Sequence, residues 1–463
     1  MKLSELSRRN WLKTVGLGLG ATAVNLAGIP TQRAQADFVY RENMTTGTLH
    51  DGTEAVPCRL EDDKVIRPAK EIPQISETDV LVVGGGPAGC VAAIAAARAG
   101  VRVTLVERYG HFGGLATGGL VVHILGHWTM ENGEKIQVCQ GIGEEMMKRL
   151  ESLPNGIINR ENKRNPTLDA EVYKYLLVEM ITEANIDVFL HSWALDAIMD
   201  DEPDPETGHP VIRGVVFQTK TGPQAILAKQ VIDTTGDGDI FATSGAAYTQ
   251  RMYTIGLPCR LGNLDQVTPP EGTERPRFLG DPTPVPGVNW VNMGGPDADG
   301  CDVRTLSQLE LQHRKRIWKQ FLDIHATPGY EKVFLMETAP QIGVRITRVI
   351  EGVETLTLDD AKAGKKYDDC IGIGGAWGGD HIGWQIPYRA LLPKNVENLI
   401  TAGRSISGEP RMSDVIRVIP NCWVSGHGAG CAAAVAVQNH CIARNVPIET
   451  VQRLLLEQKA WLG

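Results

Sequence analysis

The chain has 463 residues with 46 basic and 55 acidic side chains, a formal net charge of −9. An acidic chain of this length can bury proper cores for two or three domains and is a poor partner for nucleic acid. Its nine cysteines are scattered and odd in number, with no C-x-x-C pair, which favours small buried apolar residues over a metal site.

The first 36 residues read as a targeting segment. Ser7-Arg8-Arg9-Asn10-Trp11-Leu12-Lys13 is followed by a glycine-rich apolar run to about Ile29 and then Ala34-Gln35-Ala36. The segment looks like a twin-arginine signal peptide cut after Ala36, which predicts a periplasmic protein exported already folded. The run is broken by Gly16, Gly18, Gly20 and Asn25 and falls short of a bilayer span, so no integral membrane segment is expected in the mature chain. The segment carries five basic residues and one acid, so its removal takes the net charge from −9 to −13. Residues 37–78 read as an extended lead-in.

From Asp79 to Arg108 the sequence predicts a βαβ unit: an apolar strand at Val80–Val83, glycines at 84, 86 and 89, a helix of small residues over Cys90–Arg98, Gly100 to end it, and a strand closing on Glu107. Gly84 permits a tight turn, Gly86 admits a pyrophosphate, and Gly89 lets helix and strand pack closely. The pyrophosphate would sit on Pro87 and Ala88 at the helix N-terminus, and Glu107 would accept from ribose hydroxyls. This predicts binding of an ADP moiety. The loop from Arg108 to Gly119, with Gly113, Gly114 and Thr117, is too glycine-dense for a regular element and is expected to touch the cofactor.

Asp169 is expected to cap a helix running to Asn185, followed by strands at Ile186–Leu190, near Ile198, at Val211–Thr219 and at Ala225–Asp233. The tip Thr234-Thr235-Gly236-Asp237-Gly238-Asp239 lacks EF-hand spacing, and no metal site is predicted. Between 251 and 296 proline, glycine and asparagine dominate; a helix at Leu306–Ile324 and a strand at Lys332–Glu337 follow. The last third predicts a strand at Asn398–Ala402 ending in Gly403-Arg404, then Gly426-His427-Gly428-Ala429-Gly430 opening an alanine-rich helix.

Taken together, VLVVGGGPAG with Glu107, the FGGLATGG loop, VIDTTGDGD, APQIGVRITR, IPYRALLPKNVENLITAGRSIS and RVIPNCWVSGHGAGCAAAVA resemble the FAD-dependent oxidoreductases of glutathione-reductase-like fold, within the two-dinucleotide-binding flavoproteins. The resemblance spans most of 79–443. It implies an α/β fold: a Rossmann-like FAD-binding domain over 79–245 and 386–463, with an inserted α+β substrate domain over 246–385. It implies non-covalent FAD, held by Gly84, Gly86, Pro87, Ala88, Gly89, Glu107, Arg108, Gly113, Gly114, Thr117, Gly236, Asp237, Gly403, Arg404, Gly426 and Gly428. Two positions depart from the family pattern: Ile346 stands where an acid is usual, and His427-Gly428 where Gln-Ala is commoner.

For proton transfer or substrate binding near the flavin, His381, His427, Arg345 and Arg348 are the candidates. The sequence holds no second G-x-G-x-x-G unit: Gly372-Ile373-Gly374 breaks at Trp377 and Gly236-Asp237-Gly238 at Phe241. A small organic substrate and a quinone, cytochrome or other electron carrier are therefore expected rather than NAD(P)H. A lyase or isomerase that uses flavin without net redox turnover, or a flavin-binding accessory protein, are the alternatives. Substrate identity, direction of electron flow, oligomeric state and disulfide pairing are left open by the sequence.

Overall fold

The computed structural model describes residues 57–131, 134–160, 165–375 and 383–463. The chain divides into two units, Met1–Lys70 and Glu71–Gly463. Within the first, Arg59–Glu61 and Lys64–Ile66 form an exposed antiparallel hairpin. The sheet, helices and cavity described below belong to the second.

Numbering the strands of the main sheet and the four long helices, the second unit starts with β1 (Gln74–Val83), α1 (Pro87–Arg98) and β2 (Val103–Val106). It continues with α2 (Ala170–Glu183), β3 (Asp187–Phe189), β4 (Trp193–Met199), β5 (Ile212–Thr219) and β6 (Gly222–Asp233). After an excursion containing α3 (Val303–His325), the chain returns as β7 (Leu399–Thr401) and α4 (Ile419–Gln438). The sheet order is β4-β5-β6-β1-β2-β3, with β7 paired to β6. Strands β6, β1, β2, β3 and β7 are parallel, while β4, β5 and β6 form an antiparallel meander. This is the expected α/β fold built on a Rossmann-like sheet.

Strand β1 reads as a continuous apolar run because both faces of a parallel sheet are covered. Val80, Leu81, Val82 and Val83 are at most 2% exposed, each contributing roughly 2 kcal/mol by burial. Helix α1 starts where Gly86 takes an extended conformation and Pro87 occupies a first-turn position, where a missing N–H costs nothing. Its alanines let α4 approach closely. A Cβ on Gly426 would lie 2.2 Å from the Ala88 carbonyl oxygen, and one on Gly430 would lie 2.2 Å from that of Ala92.

The excursion is built of small antiparallel sheets. Cys259–Gly262 pairs with Asn289–Val291 and Phe334–Thr338, and Tyr253–Gly256 pairs with Asp297–Ala298 and Gly343–Val344. Asp302 caps α3 by accepting from the Arg304 and Thr305 amides. Asp169, the expected cap of α2, does the same for Glu171 and Val172, and its second oxygen accepts from Arg260 at 2.9 Å. Arg260 also pairs with Glu337, so one buried guanidinium ties the excursion to the nucleotide-binding half. Strands Cys370–Gly374 and Trp384–Pro387 form a further antiparallel pair packed on α4, where Gly428 meets the Ile371 side chain. A boundary after residue 385 therefore falls inside a paired strand.

All nine cysteines are free, with Cys90, Cys422 and Cys431 buried. Among the described residues no helix is long and apolar enough to cross a membrane.

Candidate functional site

The fingerprint loop lines a cavity of about 500 Å³. Gly84 holds a left-handed φ of +104°, and a Cβ there would lie 2.5 Å from the Thr234 carbonyl oxygen. Gly89 lies against β1 more closely still, with 1.8 Å left between a built Cβ and the Gly84 carbonyl oxygen. Gly86 has nothing within 4 Å of its Cβ position and faces the cavity with Pro87 and Ala88. The three glycines thus have separate jobs: turn, open cradle, and helix-to-strand contact. The orphan N–H groups of the first turn of α1 and its positive dipole end face the same space, which suits a pyrophosphate.

Glu107 closes β2 and is buried at the cavity wall. Its Oε2 accepts from the Gly85 amide at 2.6 Å and its Oε1 from the Tyr109 amide at 2.8 Å. Those two bonds fix the carboxylate, and each oxygen keeps acceptor capacity for a ribose hydroxyl. Burial nevertheless pushes its pKa up, against the pull of the two amides. Arg108 lies over the rings of Tyr109 and Trp193, at 5.0 and 4.8 Å from their centroids, and all three line the cavity.

Of the loop residues, Gly114 lines the cavity, while the Gly113 amide donates to the Gly85 carbonyl at 2.7 Å and so pins the loop to the fingerprint. Thr117 is not at the wall: its hydroxyl donates to the Phe112 carbonyl at 2.6 Å. Gly236, Gly403 and Arg404 line the cavity. Asp237 stands behind them, its Oδ1 accepting from Arg404 at 2.7 Å and from the Thr347 hydroxyl at 2.9 Å. The tip at 234–239 is organised by Asp233, the last residue of β6. Its buried carboxylate accepts from the amides of Thr235, Ile240 and Phe241 and from the Thr235 hydroxyl, holding Gly236 in place.

Three sequence expectations change at α4. The helix opens at Ile419, with Pro420 in its first turn, so Gly426 and Gly428 lie mid-helix rather than at its mouth. Gly426 serves the α1 contact and Gly428 the Ile371 contact, and neither lines the cavity. His427 points away as well. Its ring packs against Gly141 and its Nε2 bonds Gln458 Oε1 at 3.0 Å. Burial lowers its pKa to about 4. The helix end that opens on the cavity is instead formed by Arg417, Ile419 and Cys422.

The arginine candidates separate. Arg348 is a structural cation, donating at 3.0 Å to both the Asp237 carbonyl and Asp239 Oδ1, and it does not line the cavity. Arg345 does line it. His381 lies outside the described residues.

The same cavity is lined by residues that sequence reasoning missed: His123 from the segment between β2 and α2, and Asp281 and Trp290 from the excursion. The His123 Nδ1 is 2.8 Å from the Thr167 hydroxyl, its Nε2 is 3.6 Å from Asp281 Oδ2, and its ring meets the Trp290 ring edge-on at 4.4 Å. Burial lowers its pKa, and the Asp281 carboxylate only partly opposes this. No local motif marks His123, because its partners lie 44, 158 and 167 residues away in sequence and meet it only through the fold.

The glycine cradle, the α1 N-terminus and Glu107 fit an ADP moiety, and the same cavity is also lined by Gly114, Gly403, His123 and Arg345. The family model for FAD dependent oxidoreductases matches residues 79–254 and 263–455. Among curated proteins, the chain is 33% identical over 162 residues to digeranylgeranylglycerophospholipid reductase 2 of Methanopyrus kandleri, covering 35% of this chain and 38% of that protein. It is 38% identical over 73 residues to one component of the alkyl hydroperoxide reductase of Pseudomonas aeruginosa, covering 16% of this chain and 14% of that one. Both matches therefore span well under two thirds of the relative's length. A solved geranylgeranyl bacteriochlorophyll reductase-like protein from Thermoplasma acidophilum is similar at 16% identity with a TM-score of 0.45, covering 83% of this chain and 82% of that one. On the family match, which takes in most of the chain, this protein belongs to the FAD dependent oxidoreductases.

Proposed function

We propose that the chain is an exported dehydrogenase or reductase that moves a hydride between a small organic substrate and bound FAD, and that exchanges electrons with a quinone, cytochrome or other carrier rather than with NAD(P)H. The observation that carries the reading is the continuity of one cavity from the fingerprint glycines to His123, Trp290 and Arg345. The nucleotide end and a second end walled by the excursion share one space. FAD supplies two-electron chemistry, and the chain's own part is to bind and orient. Gly84, Gly86 and the α1 N-terminus would take the pyrophosphate, Glu107 the ribose, and Arg404, held by Asp237, the stretch beyond.

His123 is the described side chain best suited to hold or accept a substrate proton, at Nε2. Thr167 fixes the ring through Nδ1, and the lowered pKa keeps the imidazole neutral near pH 7. Export rests on the arginine pair at residues 8 and 9 and the apolar run after it. The carrier reading rests on there being one dinucleotide fingerprint in the sequence.

Anaerobic titration tests the redox reading. A substrate that bleaches the flavin, with electrons then passing to an artificial acceptor, supports it, whereas turnover without bleaching contradicts it. Export is tested by replacing Arg8 and Arg9 with lysine: an unchanged location removes that part.

A further inference from the structure

We infer that the Arg345 end of the cavity is a carboxylate subsite, so that the substrate is a small organic acid gripped by Arg345 beside the Arg417–Asp414 pair. This rests on the flavoenzyme reading above and names its substrate class. Arg345 lines the cavity, and its guanidinium bonds the Thr254 hydroxyl, with the Thr254 carbonyl at 3.5 Å. No carboxylate among the described residues lies within ion-pair distance of it.

The other cations around the cavity are already satisfied. Arg404 pairs with Asp237 at 2.7 Å, and Arg108 lies on two aromatic rings. Arg417, which also lines the cavity, donates through Nε and Nη2 to Asp414 Oδ1 at 3.0 and 2.5 Å. Arg345 and Arg417 thus share one neighbouring carboxylate, Asp414, which Arg417 already holds. Burial and the Arg417 cation push the Arg345 pKa down, and Asp414 and Tyr253 only partly oppose them, so its charge is held at a cost that an incoming anion reduces. The planar fork of a guanidinium matches a carboxylate in two parallel bonds, which a neutral amide cannot reproduce.

The alternative source of the anion is FAD itself, through its pyrophosphate, and the test separates the two. The FAD-loaded enzyme is titrated with acetate, crotonate and benzoate, each against its primary amide, following the flavin spectrum and the heat of binding. The expected result is that at least one acid binds about tenfold or more tighter than its amide. The Arg345→Met variant loses that preference while keeping FAD, Arg345→Lys retains part of it, and Arg411→Met, which alters an exposed arginine paired with Asp359, keeps all of it. Three results overturn the inference: no acid binds, an acid binds Arg345→Met as it binds the wild type, or Arg345→Met loses its FAD. Absence of FAD from the wild-type protein is a different failure, that of the flavoenzyme reading.

Discussion

Gly89 touches Gly84 so closely that a Cβ on Gly89 would lie 1.8 Å from the Gly84 carbonyl oxygen, while Gly86 between them has open space where its own Cβ would stand. Two alanine substitutions three residues apart are therefore expected to fail in different ways. Gly89→Ala forces backbone apart in the core and should cost at least about 3 kcal/mol, visible as a large fall in the urea midpoint. Gly86 has φ −72°, which alanine adopts freely, so Gly86→Ala should melt like the wild-type apoprotein yet bind FAD about tenfold or more weakly. Thermal melts with and without FAD check both; equal behaviour of the two variants would contradict the division of roles.

Asp233 gathers three amides and a hydroxyl onto one buried carboxylate at the end of β6. Asparagine in its place would turn an NH₂ toward donors and leave at least one buried N–H without an acceptor. Asp233→Asn should destabilise by about 2–3 kcal/mol and lower FAD occupancy through the displaced Gly236. Chemical denaturation combined with flavin content measures both effects.

Helices α1 and α4 meet through Gly426 and Gly430, where any Cβ would strike the Ala88 and Ala92 carbonyl oxygens. Gly426→Ala or Gly430→Ala should each cost about 3 kcal/mol or more, despite the gain in helix propensity of about 1 kcal/mol that alanine brings over glycine. Stability above wild type in either variant would contradict the packing.

His427 is buried neutral, with a pKa near 4 against an ordinary 6.5. Between those values the unfolded chain binds the proton and the folded one does not, so stability is full above about pH 6.5 and falls as pH drops toward 4, by roughly 3 kcal/mol at most. In His427→Gln that part of the acid destabilisation should vanish. Urea midpoints measured above and below this window, in both proteins, give the comparison; the same pH slope in the two would contradict a buried neutral imidazole.

What could be seen in the sequence was whatever is local. The spacing of Gly84, Gly86 and Gly89 before Glu107 encodes its own geometry, because a turn, a cradle and a close contact each need glycine at one fixed step. The Asp169 cap and the strands of β5 and β6 were legible for the same reason. Around α4 the glycines of 426–430 mislead, since close helix packing and a loop at a helix mouth use the same residue type. The sign that distinguishes them was present: Pro420 marks a first turn beginning at Ile419. Arg345 and Arg348 could not be told apart by sequence, because only tertiary structure brings Asp239 to one of them. His123 was invisible for the same reason, its setting being made by Thr167, Asp281 and Trp290 from three separate elements.

The flavin content of the purified protein, read from its visible spectrum and by mass analysis of the released cofactor, is the most direct test of the FAD site. One FAD per chain is expected, with a lower content in Gly86→Ala, and the wild-type apoprotein should recover it on adding FAD with a rise in melting temperature. A colourless protein whose melting temperature FAD does not raise would contradict it.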